Sequence, residues 1–275
     1  MTTTESRLGS VEGSWEAVSL DIRNGWSFEV PVWTAGEGQT LLYLHGFERH
    51  PGDATFLKHL AQDHRVVAPE HPGFGYSSGA EQLNDIHDVV LFYRSLMEAL
   101  GNSVADVVGH SFGGMVAAEL AAANPQFVQR LVLVDAFGLW SDDAIGVDPF
   151  GAASQVRRAL WHDPENAGRP QTSSFRPDPD DPFAKPLYDS RNLAAATRLL
   201  WPLPDRGLRR RLAFITAPTL VIQGGSDGLV PLAHAEEMVD LIQEARLVVI
   251  DEAGHYPMLE QEDAFLSSLE KFLAS

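Results

Sequence analysis

A serine flanked by two glycines, where an apolar segment gives way to a helical pattern, constrains this chain more than any other feature. The motif is Gly109-X-Ser111-X-Gly113, with apolar residues at 104–108 before it and small residues at 114–123 after it. Glycines there permit a tight strand-to-helix turn that projects the serine Oγ from the sheet, where we expect it to be exposed. The first N–H groups of the helix point to the same place. The stretch therefore predicts a nucleophile, which needs a base and an acid that orients the base.

Strand and helix patterns alternate along most of the remaining sequence. Two alternating segments at 14–22 and 26–33 flank Asn24-Gly25, a dipeptide that favours a hairpin turn. Short apolar runs predict strands at 40–44, 65–68, 104–108, 130–134, 219–223 and 246–250. Apolar residues at helical spacing predict helices at 53–63, 83–100, 112–123, 232–242 and 263–273. Such alternation is typical of an α/β protein whose mostly parallel sheet has helices on both faces.

The composition of the sequence changes after Trp140. Residues 141–190 contain much of the proline and aspartate of the chain, including RPQTSSFRPDPDDPF at 169–183. Two short helices are predicted in and beside this segment, at 151–161 and 190–201. We therefore predict two domains, with a mostly helical cap inserted over the carboxyl ends of the strands: the core at 1–140 and 211–275, and the cap at 141–210.

Composition and charge exclude several classes of protein. The chain has no cysteine, which rules out a disulfide framework, a cysteine metal site and a thiol nucleophile. Its 38 acidic and 20 basic residues give a formal charge of −18, which would repel nucleic acid over most of the surface. The one basic cluster, RGLRRRL at 206–212, is typical of a solvated helix face rather than a phosphate site. The histidines show no metal-binding spacing such as H-E-x-x-H.

Neither a signal peptide nor a membrane span is predicted. The first ten residues are polar, and no run of about 18 apolar residues occurs. We therefore expect a cytoplasmic protein that acts on a small molecule without a cofactor or a metal. Nucleic acid and membranes are not expected as partners, and a homodimer is the assembly that the sequence leaves open.

Polar side chains that could meet the serine follow three other predicted strands. His45-Gly46-Phe47 follows the strand at 40–44, and two later strands are followed by Asp227 and His255. Ligands of parallel α/β sheets bind at the carboxyl ends of the strands, so we expect these groups to converge there. A serine, an aspartate and a histidine in this chain order can supply a nucleophile, an orienting acid and a base.

Together these motifs resemble those of an α/β-hydrolase-fold serine hydrolase with a cap domain. The resemblance covers the predicted core and is carried by LLYLHGF (41–47), VVAPEHPGFGYSS (66–78), VVGHSFGGMVAAELAAANP (107–125), LVLVDAFG (131–138), APTLVIQGGSDGLVP (217–231) and AGHYPMLEQED (253–263). It implies that Ser111 is the nucleophile, His255 the base and Asp227 the acid. It also implies an oxyanion hole formed by the backbone N–H groups of Phe47 and Phe112.

Two of these assignments have competitors in the sequence. The G-x-S-x-G pattern recurs around Ser226, but no small-residue helix follows directly, so Ser111 is favoured. Asp135 ends a strand and Asp251 precedes the histidine loop, so either could be the acid in place of Asp227. Asp227 is favoured over both, and Asp135 is interpreted as a structural carboxylate that accepts hydrogen bonds from loop N–H groups.

Aromatic residues near the predicted site are candidates for a substrate pocket. We assign Trp140, Trp161, Trp201 and Tyr256 to this pocket. Glu48 follows the first oxyanion-hole residue, and an inward-facing carboxylate at that position would disfavour anionic substrates.

The sequence favours a carboxylesterase for a small or medium, mostly neutral ester or lactone. A serine at position 111 argues against the dehalogenases and epoxide hydrolases of this fold, which use an aspartate nucleophile. Hydrolases of carbon–carbon bonds in vinylogous diketones often have Asn before the nucleophile and Trp after the base, where this chain has His110 and Tyr256. That reaction is the first alternative, and a non-catalytic ligand receptor on the same fold is the second.

Overall fold

The structure is a computed structural model that describes residues 11–22, 25–163, 165, 183–200 and 206–274, without the side chain of Lys185. Some predictions concern residues outside these ranges, namely the first ten residues, Asn24 of the hairpin turn, most of the segment at 169–183, and Trp201. The strands and helices that carry the other predicted site residues lie within the described part of the chain.

A single sheet forms the centre of the protein. Its strands are β1 Ser14–Asp21, β2 Ser27–Ala35, β3 Gln39–Leu44, β4 His64–Pro69, β5 Ala105–His110, β6 Val128–Val134, β7 Thr219–Gly224 and β8 Ala245–Ile250. The eight strands are arranged in the order β1-β2-β4-β3-β5-β6-β7-β8. Strand β2 is antiparallel to both β1 and β4, and the other neighbouring pairs are parallel. The predicted α/β fold with a mostly parallel sheet is therefore confirmed.

Helices follow most of the parallel strands. They are α1 Thr55–Leu60, α2 Ile86–Ala99, α3 Phe112–Ala123, α4 Ala153–Leu160, α5 Ala184–Leu200, α6 Leu208–Arg211, α7 Leu232–Leu241, α8 Pro257–Glu260 and α9 Glu262–Leu273. The side chain of Asp85 caps α2 by accepting hydrogen bonds from the N–H groups of His87 and Asp88. Helices α2 and α9 bury their apolar faces, as their periodicity predicts. No helix among the described residues is long and apolar enough to span a bilayer.

Several helices differ in extent from the sequence-based prediction; α2, for example, covers Ile86–Ala99 rather than 83–100. Helix α1 is shorter than the predicted 53–63. Helix α5 begins at 184 rather than 190, and its early Pro186 lies in the first turn, where a missing N–H costs no hydrogen bond. Helix α8 is a single turn that the sequence does not predict, because one turn shows no periodicity.

The basic cluster at 206–212 is partly exposed to solvent, and two of its arginines form ion pairs. Nε and Nη2 of Arg211 donate hydrogen bonds to the two carboxylate oxygens of Glu119, each at 2.6 Å. Glu119 lies on α3 and is buried. Nη2 of Arg209 donates to Glu237 of α7 at 3.0 Å. The arginines therefore attach α6 to two core helices, a role that the sequence pattern does not show.

The end of α4 lies against the loops that follow β7 and β8. The Leu160 carbonyl oxygen accepts a hydrogen bond from the His255 N–H at 2.8 Å, and the Ala159 carbonyl oxygen accepts one from the Gly228 N–H at 2.9 Å. A Cβ on Gly254 would lie only 2.5 Å from the Leu160 carbonyl oxygen, so this approach requires glycine. Helix α4 therefore packs directly on the two loops that carry Asp227 and His255.

Candidate active site

Ser111 occupies a strained turn between β5 and α3. Its φ of 57° and ψ of −118° lie in a region that non-glycine residues rarely adopt. A Cβ on Gly109 would lie 2.3 Å from the Gly113 carbonyl oxygen, and a Cβ on Gly113 would lie 2.2 Å from the Leu44 carbonyl oxygen. The serine turn therefore needs both flanking glycines.

The side chains of Ser111, His255 and Asp227 form a hydrogen-bonded chain. Ser111 Oγ lies 2.7 Å from His255 Nε2, and His255 Nδ1 lies 2.8 Å from Asp227 Oδ2. Because an ionised carboxylate can only accept, the assigned tautomer of His255 donates its Nδ1–H to Asp227 and accepts a hydrogen bond from the serine hydroxyl on Nε2. The structure thus brings these three residues within the distance that proton transfer from the serine requires.

The Asp227 carboxylate is fixed by the loop after β7. Its Oδ1 accepts hydrogen bonds from the Leu229 N–H at 2.8 Å and the Val230 N–H at 3.2 Å. Its Oδ2 accepts from Gln223 Nε2 at 3.3 Å, in addition to His255. Because the carboxylate is fully buried, these donors replace the water that would otherwise solvate it.

Solvent does not reach the three side chains. Ser111 and His255 are both 0% exposed, and so is the side chain of Asp227. The expectation of an exposed serine hydroxyl is therefore wrong. The segment at 45–47 packs on the serine, since a Cβ on Gly46 would lie 3.2 Å from the Ser111 Cβ, and the end of α4 binds the backbone of His255.

The backbone N–H groups of Phe47 and Phe112 belong to the two segments that meet at the serine. Phe112 follows Ser111 at the start of α3, and Phe47 belongs to the segment that packs on it. The Gly113 N–H donates to the His45 carbonyl oxygen at 3.0 Å, which ties this segment to α3. Neither Phe N–H has an acceptor among the described residues. Two such donors could stabilise a developing oxyanion.

Buried histidines support the segment that carries Phe47. His71 Nε2 donates to the His45 carbonyl oxygen at 2.8 Å, and His45 Nε2 accepts from the His71 N–H at 3.0 Å. The Tyr93 hydroxyl donates to His71 Nδ1. Burial lowers the pKa of both histidines, to about 4 for His71. The rings are therefore neutral at neutral pH and keep fixed donor and acceptor atoms.

His110 holds the backbone of the histidine that faces the serine. Its Nε2 lies 2.7 Å from the His255 carbonyl oxygen, to which it donates. Burial first, and the nearby His255 ring second, lower the pKa of His110 well below its ordinary value. A neutral His110 is thus a hydrogen-bond donor to the loop rather than a second base.

His50 makes the stability of the fold dependent on pH. Its Nε2 donates to the Ala68 carbonyl oxygen at 2.9 Å and its Nδ1 accepts from the Gly52 N–H at 2.8 Å. Burial lowers the pKa of His50 from 6.5 to about 3. The unfolded chain therefore binds this proton below about pH 6.5, whereas the folded chain does not. The contribution of His50 to the free energy of unfolding is therefore fully present above that pH and is lost as the pH falls towards 3.

We expect His50→Gln to flatten the pH dependence of the unfolding free energy. Removing the His50 imidazole should lower the slope of unfolding free energy against pH by ~1.4 kcal/mol per pH unit between about pH 6 and about pH 4.5. Urea denaturation at a series of pH values measures the slope. The exposed His87 is the matched control, and His87→Gln should keep the wild-type slope. An unchanged slope in His50→Gln would contradict this account.

The three competing residues, Ser226, Asp251 and Asp135, differ in their burial. Ser226 and Asp251 lie at the exposed surface. Asp135 is fully buried, and one atom each of Asp135, Asp227 and His255 lie within 4.8 Å of one another. That spacing would suit a cation, but the His255–Asp227 contact has the length of a hydrogen bond. Of the three competitors, Asp135 is therefore the one that the structure places beside the site.

An open pocket of about 510 Å³ adjoins the site. Its largely apolar lining includes Met115 and Phe137, whose N–H groups donate to the Ser111 carbonyl oxygen at 3.2 and 3.1 Å. It also includes Leu229, which donates to Asp227, and Trp140, one of the four predicted pocket residues. This pocket therefore borders the backbone of Ser111 and the loop that carries Asp227.

Two other predicted pocket residues lie elsewhere. Trp161 and Tyr256 stack on each other with ring centroids 4.9 Å apart, and neither lines this pocket. The Tyr256 hydroxyl donates a hydrogen bond to the Glu48 carboxylate. The fourth, Trp201, lies outside the described residues.

Two buried polar residues near the site are not singled out by the sequence. Asn192 of α5 donates to the Glu48 carbonyl oxygen at 2.8 Å and accepts from the Gly75 N–H at 2.6 Å. Glu70 accepts from the Tyr188 hydroxyl of α5 at 3.2 Å, and burial raises the pKa of Glu70 to about 7. The partners of Asn192 are 117 and 144 residues away, so no local pattern could reveal them.

The sequence and the fold are similar to those of known hydrolases. A family model described as the alpha/beta hydrolase family matches residues 41–267. A 2-hydroxymuconate semialdehyde hydrolase from Pseudomonas sp. (strain CF600) is 30% identical over 264 residues, covering 87% of this chain and 88% of that protein. A pimeloyl-(acyl-carrier protein) methyl ester esterase from Aliivibrio fischeri is 27% identical over 256 residues, covering 87% of this chain and 95% of that protein. The crystal structure of a serine hydrolase involved in carbazole degradation has a TM-score of 0.74 at 21% identity, over 95% of this chain and 99% of that chain.

Proposed function

Because this chain belongs to the alpha/beta hydrolase family, we propose that it is a serine hydrolase of carboxylic esters or lactones, with Ser111 as nucleophile. The hydrogen-bonded chain from Ser111 through His255 to Asp227 is the observation that carries this proposal. A small or medium, mostly neutral substrate suits the largely apolar pocket. The relative named as a methyl ester esterase also supports ester cleavage.

The proposed reaction has two halves. In the first, His255 Nε2 takes the Ser111 proton while Oγ attacks the ester carbonyl carbon, and the Phe47 and Phe112 N–H groups receive the oxyanion. His255 then gives the proton to the departing alcohol oxygen, which leaves an acyl group on Ser111. In the second half, His255 takes a proton from water, the water attacks the acyl carbon, and the acid departs as Ser111 regains its proton. Asp227 stabilises the imidazolium in both halves.

Cleavage of a carbon–carbon bond is the second candidate function. It is favoured by the 30% identical relative named as a 2-hydroxymuconate semialdehyde hydrolase. His110 and Tyr256 favour ester cleavage instead, because such hydrolases often have Asn and Trp at these positions. In this chain the His110 side chain donates a hydrogen bond to the His255 carbonyl oxygen, and the Tyr256 hydroxyl donates one to the Glu48 carboxylate.

A substrate panel separates the two functions. p-Nitrophenyl esters of increasing acyl length are assayed beside a coloured dienoate product of ring fission. An esterase turns over the esters and little of the dienoate, and the opposite result would favour carbon–carbon cleavage. A phosphonate probe for activated serines should form an adduct on Ser111. No adduct and no turnover would instead indicate a ligand receptor, and would overturn the proposed function.

We also propose that residues 141–210 form a cap that selects substrates, while the core performs the chemistry. Support comes from the contacts of α4 with the His255 and Gly228 N–H groups, and from Asn192 of α5, which binds the Glu48 carbonyl oxygen beside Phe47. Both helices therefore lie next to groups that would surround a bound ester.

Trp161→Ala is expected to change the preference for acyl length more than it changes activity on the acetate ester. Trp161 is buried and stacks on Tyr256, the residue after the proposed base, so its removal opens space without removing a reacting group. Values of kcat/KM for p-nitrophenyl esters from acetate upwards measure the effect.

The matched control for Trp161 is Leu187, which is exposed on α5. Leu187→Ala should leave the acyl-length profile as in the wild type. If Trp161→Ala lowers activity equally on every ester, Trp161 only supports the structure and does not select substrates.

A further inference from the structure

Asp135 is held in an unusual position beside the proposed catalytic acid. It ends β6 with a φ of 45°, a conformation that non-glycine residues rarely adopt, and it has no exposed surface. Its N–H donates to the Ile222 carbonyl oxygen at 2.9 Å, which fixes the backbone. This strain places the carboxyl group within 4.8 Å of Asp227 and His255. Strained residues of this kind need an explanation in function or in packing.

The hydrogen bonds of Asp135 are those of a neutral carboxyl group. Its Oδ1 accepts from the Gly224 N–H at 2.8 Å, whereas its buried Oδ2 has no donor among the described residues. A buried, ionised oxygen without a donor is costly, but a protonated oxygen can donate to a neighbouring carboxylate. Burial first, and the charge of Asp227 second, raise the pKa of Asp135 well above its ordinary value.

Asp227 is the member of the pair that is suited to carry the charge. Its carboxylate accepts hydrogen bonds from Leu229, Val230, Gln223 and His255, while Asp135 accepts from one N–H group. Two carboxyl groups this close cannot both ionise easily, so one of them keeps its proton. Asp227 and His255 are the titratable groups that face Asp135 among the described residues.

We propose that Asp135 is a positioning residue whose Oδ2–H donates a hydrogen bond to the Asp227 carboxylate and thereby fixes that carboxylate against His255. The inference rests on the proposed function, since it assigns Asp135 a part in orienting the base. It adds to the interpretation of Asp135 as an acceptor from loop N–H groups, since Oδ1 accepts from the Gly224 N–H. Asp135 does not touch the substrate, and acts through Asp227 alone.

Two substitutions at Asp135 test the proposal kinetically. Asp135→Asn keeps the shape and supplies an N–H donor to Asp227, so kcat should stay within about threefold of the wild type. Asp135→Ala removes the donor, so kcat should fall about 10- to 100-fold with little change in KM, as loss of one hydrogen bond to a charged group predicts. The acid limb of kcat/KM should move to higher pH in Asp135→Ala, because a carboxylate with fewer donors stabilises the imidazolium more.

An infrared measurement tests the protonation directly and needs no turnover. Glu70 could also give a signal from a protonated carboxyl group, because burial raises its pKa to about 7. Spectra are therefore recorded about one pH unit above that value, where Glu70 has lost its proton. The wild type should still show the carbonyl stretch of a protonated carboxylic acid, and Asp135→Asn should lack it. Glu70→Gln is the matched control and should keep the band at this pH.

Two results would overturn the proposal: the absence of the protonated carboxyl band in the wild type, or an equal loss of kcat in Asp135→Asn and Asp135→Ala. If Asp135→Ala does not fold, the proposal is tested by the infrared band of the wild type and by the band and the kcat of Asp135→Asn. A protein that shows the band but hydrolyses no ester would refute the proposed function and leave the Asp135–Asp227 hydrogen bond standing.

Discussion

Replacement of Ser111 by alanine is expected to abolish ester hydrolysis. The change removes the Oγ that lies 2.7 Å from His255 Nε2, and with it the atom that carries the acyl group in the proposed mechanism. In a serine protease the equivalent loss costs on the order of a million-fold in kcat. The oxyanion hole and binding should leave catalysis roughly 1,000- to 10,000-fold above the uncatalysed rate. Initial rates with a p-nitrophenyl ester, and labelling by the phosphonate probe, measure both effects.

The Ser111 variant should remain folded, because the positive φ at this position strains alanine and serine alike. Its thermal midpoint is therefore expected to stay close to that of the wild type. Ser226→Ala is the matched control, since it removes an exposed serine from the second G-x-S-x-G sequence. Full activity in Ser111→Ala, or a comparable loss in Ser226→Ala, would refute the assignment of the nucleophile.

Asp227→Asn is expected to lower kcat on the order of 10,000-fold, by the precedent of the serine proteases. An amide that donates to His255 Nδ1 favours the tautomer with its proton on Nε2, and that tautomer cannot accept the Ser111 proton. The carboxylate would also no longer stabilise the imidazolium. Values of kcat for a short ester, with circular dichroism to verify the fold, measure the effect.

The comparison with Asp135 decides which carboxyl group is the acid. Asp135→Asn should cost far less activity than Asp227→Asn, because His255 Nδ1 makes its hydrogen bond to Asp227 at 2.8 Å. A reversed ranking would show that Asp135 orients the base. It would also remove the basis for treating Asp135 as a proton donor.

Much of the fold and of the site follows from short stretches of sequence. The strand-to-helix turn at Ser111 depends on glycines two residues away on either side. The residues that make the turn possible are therefore part of the motif, and the turn can be predicted from it. Asp227 and His255 each follow a strand closely, and neighbouring parallel strands bring their ends together whatever lies between them in sequence. These features depend on local conformation and strand order, and both can be predicted from apolar patterns.

Other features depend on contacts that sequence patterns do not contain. The role proposed for Asp135 rests on its backbone conformation and on the lack, among the described residues, of a donor to one oxygen; no sequence pattern shows either feature. The Tyr256 hydroxyl donates to Glu48, which is 208 residues away, so this contact could not be predicted from local patterns. Helix α5 begins earlier than predicted because its first turn has few apolar residues, which weakens the periodicity.

The end of α4 limits how the substrate range of this protein can be redesigned. The Leu160 and Ala159 carbonyl oxygens bind backbone N–H groups in the loops that carry His255 and Asp227, and Gly254 leaves room for no other path. A segment transplanted from a relative to alter selectivity would therefore also shift the acid and the base, unless it presented two carbonyl groups at the same points. The exposed side chains of α4 can therefore be exchanged in a redesign, whereas the backbone path of its last turn must be kept.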